Sequence, residues 1–343
     1  MSARLRTVLA GCGRVSEHWL DVVAGRADLE IVGLADVQEE SARAKSEAYG
    51  LRHVQIDADV RALLRSLRPD LVIDCTPPDA REQVVLAALA EGCHVLAEKP
   101  MAESLESASR MVREAERARR VLAIGQNHRY MPVVQRFARA VRSGRLGPLT
   151  GLDVGFFIAR QFSGFRVTLK HPLLLDMAVH TFDTVRFVSG LEPLSVYCEE
   201  WNPEGSWFAG GAAAAAIFRM TGGVAFVYRG SWCAPGLPTS WPGQWRVTGR
   251  QGSATWDGEM EVRVQASPLD AGRDDVVEDV PVEPAPERNG LGQAELLDEF
   301  LRCLGSGQEP PTACTDNIRS LAMVHAAIAS ARTGERVTIG SRP

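Results

Sequence analysis

The feature that most constrains the fold of this chain is an alternation in its first third. From Thr7 to Gly125 short apolar runs recur: Val8-Leu9-Ala10, Ile31-Val32-Gly33-Leu34-Ala35, Leu71-Val72-Ile73-Asp74-Cys75, Val95-Leu96-Ala97 and Val121-Leu122-Ala123-Ile124. Stretches of helical period lie between them, around 14–25, 38–49, 59–67, 79–91 and 104–119. Brief runs that are apolar throughout suit strands buried on both faces, and strands alternating with helices build a parallel, doubly wound sheet. The expectation is an α/β protein with an N-terminal Rossmann-like domain over residues 1–125. After Pro132 the pattern changes. One helix runs to about Ser143, strand-like alternation follows from Thr150 to Ile158, and a helical stretch extends from Leu173 to Ser189. Strand patterns from Leu194 to Val264 read as an antiparallel or mixed sheet, so residues 126–343 are expected to form an α+β domain. Pro268, Pro281, Pro284, Pro286 and Asn289-Gly290 mark an exposed excursion over 266–290, ahead of two closing helices, Gln293–Leu304 and Asp316–Arg332.

Composition narrows the partners. With 38 Lys and Arg against 43 Asp and Glu the formal charge is -5, and the cations are scattered, so neither nucleic acid nor an anionic membrane is expected as a partner. The seven cysteines are odd in number and contain no Cys-x-x-Cys pair, which points to neither a disulfide framework nor a zinc site. A reduced, cytoplasmic setting and a small-molecule substrate are expected.

Directly after the first apolar run stands Gly11-Cys12-Gly13-Arg14-Val15-Ser16. The first glycine permits a tight turn, and the second lets backbone N–H groups approach a pyrophosphate at a helix N-terminus. Asp36 ends the second run, where a carboxylate that binds ribose hydroxyls belongs. Such a carboxylate repels a 2′-phosphate, and Val37 and Gln38 add no cation, so NAD is expected over NADP. Thr76-Pro77, after the third run, either lines the same crevice or is a plain turn.

Glu98-Lys99-Pro100 follows the fourth run at the end where open α/β sheets bind their ligands, which makes Lys99 a candidate for chemistry and Glu98 a neighbour of the cofactor. In Asp176-Met177-Ala178-Val179-His180-Thr181-Phe182-Asp183 helical spacing brings residues 176, 180 and 183 to one face. Oxidising a secondary alcohol needs a base for the hydroxyl proton and a positive group beside the alkoxide. His180 suits the first task and Lys99 the second, with Asp176 orienting the ring or the substrate, and Asp183 serving structure. No separate ligand cluster completes a metal site, and no metal is expected.

Together these residues resemble the Gfo/Idh/MocA oxidoreductase family, over nearly the whole chain: Gly11-Cys12-Gly13, Asp36, Glu98-Lys99-Pro100, Gly125-Gln126-Asn127-His128-Arg129-Tyr130, and Asp176 to His180. The resemblance implies that Lys99, Asp176 and His180 act on the substrate beside the nicotinamide, and that the Lys99-Pro100 peptide is cis. It implies an open-faced sheet in the second domain that pairs with another subunit, giving a homodimer or homotetramer, and the apolar residues on both faces of Val224 to Trp232 fit such pairing. The implied activity is oxidation of a secondary hydroxyl of a sugar, inositol or related polyol, or reduction of the ketone. The competing readings are a non-enzymatic dinucleotide-binding sensor and a redox-neutral glycosidase with tightly held NAD. Asn127, Arg129 and Tyr130 either offer polar groups to substrate hydroxyls or tie the domains together. Lys170 reads an anionic group or lies in a solvated loop, and Trp232 stacks on a sugar or packs within the sheet.

Overall fold

The computed structural model describes residues 4–267, 277–284 and 290–340. Pro268, Pro286 and Asn289 of the expected excursion lie outside the described residues. The chain divides into two compact units, Met1–Gln126 with Gln293–Arg319, and Asn127–Gly292 with Ser320–Pro343.

The first unit alternates strand and helix: β1 (Leu5–Ala10), α1 (Arg14–Val23), β2 (Leu29–Ala35), α2 (Glu39–Ala48), β3 (Gln55–Asp57), α3 (Val60–Leu67), β4 (Leu71–Asp74), α4 (Pro78–Ala90), β5 (His94–Ala97), α5 (Leu105–Ala118) and β6 (Leu122–Ile124). All its strand pairs are parallel, in the order β3-β2-β1-β4-β5-β6. The apolar runs are the core: Val8, Leu9, Val72, Ile73, Val95 and Leu96 have no exposed surface. Asp59 and Ser104 cap α3 and α5 through their side chains, which satisfies backbone donors that a helix start leaves open. Strand order reverses between β1 and β4, so the loops after those two strands border the crevice where such sheets bind ligands.

The second unit holds α6 (Pro132–Arg142), β7 (Leu149–Phe157), a short α7 (Phe165–Thr168), a π-helical turn over Pro172–Ala178 that runs into α8 (Val179–Ser189), and then β8 (Pro193–Trp201), β9 (Ala213–Met220), β10 (Ala225–Ser231), β11 (Gln244–Gly249), β12 (Gly252–Trp256), β13 (Val262–Ala266) and β14 (Glu278–Asp279). Helices α9 (Gln293–Ser306) and α10 (Cys314–Thr333) follow, and β15 (Val337–Thr338) closes the described chain. Nine strands form one sheet, β14-β13-β12-β11-β7-β10-β9-β8-β15, antiparallel except where β7 meets β10. One face carries the core. Phe182 of α8 packs edge-on against Phe218 and Tyr228, at ring separations of 4.8 and 5.4 Å, and Phe137 of α6 packs on Trp245 and Trp256. A cavity of about 650 Å³ opens on the sheet, lined by Asp153, Arg229, Arg246, Glu261 and Arg263 among others. The sheet is open-faced. Along β10 Phe226 and Tyr228 are buried on one face, and the other face carries exposed Ala225, half-buried Val227 and exposed Arg229, apolar residues followed by a cation.

The segment 293–319, expected in the second domain, belongs with the first. Its residues complete the β6 edge, where Ile124 N–H donates to the Thr312 carbonyl at 2.9 Å and Ala123 bridges Ala313; elsewhere Asp298 of α9 pairs with Arg26, just after α1, at 2.6 Å.

Candidate active site

In the first unit the loops after β1, β2 and β4 are built around one another. Gly11 adopts φ +86°, and a Cβ there would lie 2.7 Å from the Cys75 carbonyl carbon, so only glycine lets the two loops approach. Gly13 is the N-cap of α1 and supplies no side-chain cap; a Cβ there would meet nothing within 4 Å. Open space therefore fronts the first turn of α1, where the amides of Arg14 and Val15 have no intrahelical acceptor. Asp36 is oriented by two backbone donors, Cys12 N–H to Oδ2 at 2.7 Å and Gln38 N–H to Oδ1 at 2.8 Å. Each carboxylate oxygen retains acceptor capacity, and Val37 beside it is 87% exposed. Burial and then the Asp36 charge push the Cys12 thiol up to about 12, so it stays protonated and unreactive. This cradle fits a nicotinamide dinucleotide: amides and helix dipole for the pyrophosphate, space that a side chain at 13 would fill, and an acceptor for ribose hydroxyls.

The ends of β4 and β5 are tied by a residue that the sequence pattern did not single out. Arg81 of α4 is 2% exposed and donates to the carbonyls of Thr76 and Pro100, with Nε 3.5 Å from Asp74. Burial pushes the fully enclosed Asp74 carboxyl up, against the opposing pull of Arg81. Thr76 also donates its N–H and hydroxyl to Asp74, at 2.9 and 2.5 Å. The Thr76-Pro77 turn and the Lys99-Pro100 peptide, which is cis, thus hang from one buried guanidinium. Glu98 accepts from Trp19 Nε1 at 2.8 Å and from Lys99 N–H at 3.1 Å, which fastens α1 to the end of β5.

In the second unit the expected helix begins as a π-helical turn, so Asp176 and His180 do not share a regular α-helical face. Such turns widen the helix and recur at functional sites. Asp176 accepts from Arg166 Nε at 2.9 Å. His180, 7% exposed, lies face to face with His128, ring centroids 4.3 Å apart and planes 15° apart, which fixes the plane of its ring. Asp183 takes a different set of partners. Arg129 grips it at 2.5 and 2.6 Å and Ser320 donates to it at 2.8 Å, with side-chain exposures of 7% for Arg129 and 1% for Asp183.

The sequence leaves two readings open for Arg129 and for Trp232, and the packing favours the structural one of each pair. Arg129 is a buried strut between the 127–130 turn and α8. Trp232 is 1% exposed, with Phe156 and Phe162 edge-on to it at 4.8 and 5.0 Å. Tyr130 is buried, Asn127 donates its amide to the Leu291 carbonyl at 2.7 Å, and Lys170 is exposed. His128, Arg81 and Arg166 carry no local signal, since their importance lies in partners distant in the chain or across a turn. Among the described residues no group of three or more His, Cys, Asp or Glu could hold a metal ion, and no helix is long and apolar enough to cross a membrane.

A dinucleotide cradle at the switch point of a Rossmann sheet, followed by an α+β unit with an open sheet, defines a class of two-domain oxidoreductases. Residues 5–126 match the family described as "Oxidoreductase family, NAD-binding Rossmann fold", and residues 134–255 match the "GFO/IDH/MocA C-terminal domain". A D-apiose dehydrogenase of Paraburkholderia graminis is 30% identical over 98% of this chain and 90% of its own. An inositol 2-dehydrogenase of Rhizobium meliloti is 27% identical over 56% of this chain and 57% of its own. An oxidoreductase from Agrobacterium radiobacter, solved in complex with NAD+, L-tartaric acid and magnesium, shares the fold with a TM-score of 0.87 at 20% identity, over 99% of both chains. This chain belongs to the Gfo/Idh/MocA oxidoreductase family.

Proposed function

We propose that the protein is an NAD-dependent dehydrogenase that oxidises a secondary hydroxyl of a sugar, inositol or related polyol, or reduces the matching ketone. The observation that carries this reading is Asp36, oriented by the Cys12 and Gln38 amides beside a loop that presents Val37 rather than a cation. The relatives named for D-apiose and inositol support a polyol substrate. Gly11, Cys12, Gly13, Arg14 and Val15 would hold the pyrophosphate, Asp36 the adenosine ribose, and Thr76, Pro77, Glu98 and Lys99 the nicotinamide side. When bound, the nicotinamide accepts the carbinol hydride at C4.

The chain's own residues do the rest. His180 takes the hydroxyl proton on an imidazole nitrogen, with its ring held by His128. The Lys99 ammonium stabilises the alkoxide oxygen. Asp176, held by Arg166, orients the substrate or the ring. Asn127, Tyr130 and Lys170 are the polar residues proposed to contact substrate among those expected from sequence. A cytoplasmic homodimer or homotetramer, joined through the open sheet face, completes the reading.

The test is absorbance of reduced nicotinamide when the protein meets NAD or NADP with a panel of aldoses, inositols and sugar acids. NADH formation is expected, and Asp36→Ala is expected to erode the NAD preference by roughly tenfold, as removal of one partly exposed charge near a phosphate should. Silence across the panel, with NAD binding shown on the same sample, would refute the dehydrogenase.

A further inference from the structure

We infer that Arg160, with Arg166 behind it, forms a subsite for an oxyanion, so that the polyol substrate carries a carboxylate or phosphate. The inference deepens the dehydrogenase reading and rests on it for the reaction, but its own content is a binding site.

The segment between the end of β7 and Asp176 is cationic. From Val154 to Leu175 the sequence contains Arg160, Arg166 and Lys170 and no Asp or Glu. One charge of this stretch is answered within the unit, Arg166 pairing with Asp176 at 2.9 Å, and His171 Nδ1 lies 2.5 Å from Glu200. Among the described residues no carboxylate pairs with Arg160. Aromatic rings hold it instead, the guanidinium carbon lying 5.6 Å from the Phe162 ring centre and 5.2 Å from that of Trp241.

Cation–π contacts of this kind fix the position of an arginine without neutralising it. The backbone around it is also fixed. Trp207 Nε1 donates to the Arg160 carbonyl at 3.0 Å, Arg160 N–H donates to the Trp232 carbonyl at 3.4 Å, and Ala159 bridges Cys233. An exposed cation on a prearranged support has already lost much of the side-chain entropy that binding would otherwise cost. A planar guanidinium then offers paired N–H donors that match a carboxylate or phosphate.

Its location links the subsite to the chemistry. Arg166 stands 5.7 Å from the same Phe162 ring and donates to Asp176, one turn before His180. An oxyanion held at Arg160 therefore lies on the loop that positions the candidate reacting side chains. Trp241, 38% exposed, leaves part of its indole to the C–H groups of the same ligand.

The experiment is isothermal titration of the NAD-loaded protein with D-gluconate, D-glucuronate and D-glucose 6-phosphate, against D-glucose and myo-inositol. The wild-type protein is expected to bind at least one anion at least about tenfold more tightly than the neutral compounds, with affinity falling as salt rises from about 0.05 to about 0.5 M. Arg160→Gln, on an exposed side chain that leaves the fold intact, should remove that tenfold and the salt dependence, and Arg160→Lys should restore part of it. Carboxylate or phosphate preference among the anions identifies the source of the oxyanion. Equal binding of neutral and anionic compounds, absence of binding by every anion, or anion binding untouched by Arg160→Gln would overturn the subsite. Binding through Arg160 with no NADH formed from any compound would leave the subsite standing and sink the dehydrogenase. NADH from neutral polyols alone, with no anion bound, would do the reverse.

Discussion

Replacing Arg129 by methionine separates two roles that one residue could have. The guanidinium donates Nε and Nη2 to the two oxygens of Asp183 at 2.5 and 2.6 Å, and both side chains are almost out of solvent. In Arg129→Met the Asp183 carboxylate would keep one neutral donor, the Ser320 hydroxyl, which itself accepts from Arg186 at 2.9 Å. Leaving one member of a buried pair uncompensated costs about 3–5 kcal/mol. For a unit of this size each kcal/mol corresponds to roughly 2–4 °C, so a fall in Tm of about 6–20 °C is expected by scanning calorimetry of the cofactor-free protein. The double variant Arg129→Met, Asp183→Leu removes both charges and should recover a large part of that loss. A Tm unchanged in Arg129→Met, together with a raised KM for the polyol, would refute the strut and restore Arg129 as a substrate ligand.

Gly11→Ala should weaken NAD binding at least tenfold by titration and lower Tm, because its Cβ would meet the Cys75 backbone at 2.7 Å and φ +86° is strained for alanine; unchanged NAD affinity would show that the two loops can part freely. His180→Ala should lower kcat by roughly a hundredfold or more while NAD affinity stays near that of the parent, and equal loss of both would remove His180 from the chemistry. Burial holds His94 and His325 below the ordinary value of 6.5, so both stay neutral in the fold while the unfolded chain takes up protons. Stability is therefore complete above about pH 6.5 and declines as pH falls through that value toward the lowered pKa values. Tm at pH 5.5 should lie below that at pH 7.5, and His94→Asn, which keeps an acceptor for the Val121 N–H, should flatten the slope.

What the sequence made legible was local. The runs that became β1, β2, β4, β5 and β6 announce themselves because most residues of each run are apolar and buried, and the glycine turn and Asp36 carry their meaning in spacing along the chain. Strand β3 escaped notice because Gln55-Ile56-Asp57 is three residues long and only half covered. The π-helical turn has no signature distinguishable from an α-helix in Leu173-Leu174-Leu175. The pairings that decide roles join distant positions: Arg129 and Asp183 are 54 residues apart, and Arg186 reaches Ser320 across 134. The two readings of Trp232 stayed open for the same reason, since only the folded sheet brings Phe156 against it. Arg81 looks like one more surface arginine on α4 until the carbonyls of Thr76 and Pro100 are seen around its head.

The return of residues 293–319 to the first unit has a consequence for how the protein is made. The Thr312 carbonyl and Ala313 that complete the β6 edge leave the ribosome long after Ile124. At roughly 5–20 residues per second the wait is on the order of ten to forty seconds. During that interval the nascent dinucleotide domain exposes an unfinished strand edge of the kind that invites pairing with other chains. The first unit is thus completed only after residues 127–292 of the second have been made. A nonsense mutation between residues 293 and 311 would injure the nucleotide-binding domain by leaving β6 bare, although every glycine of the cradle had already been translated.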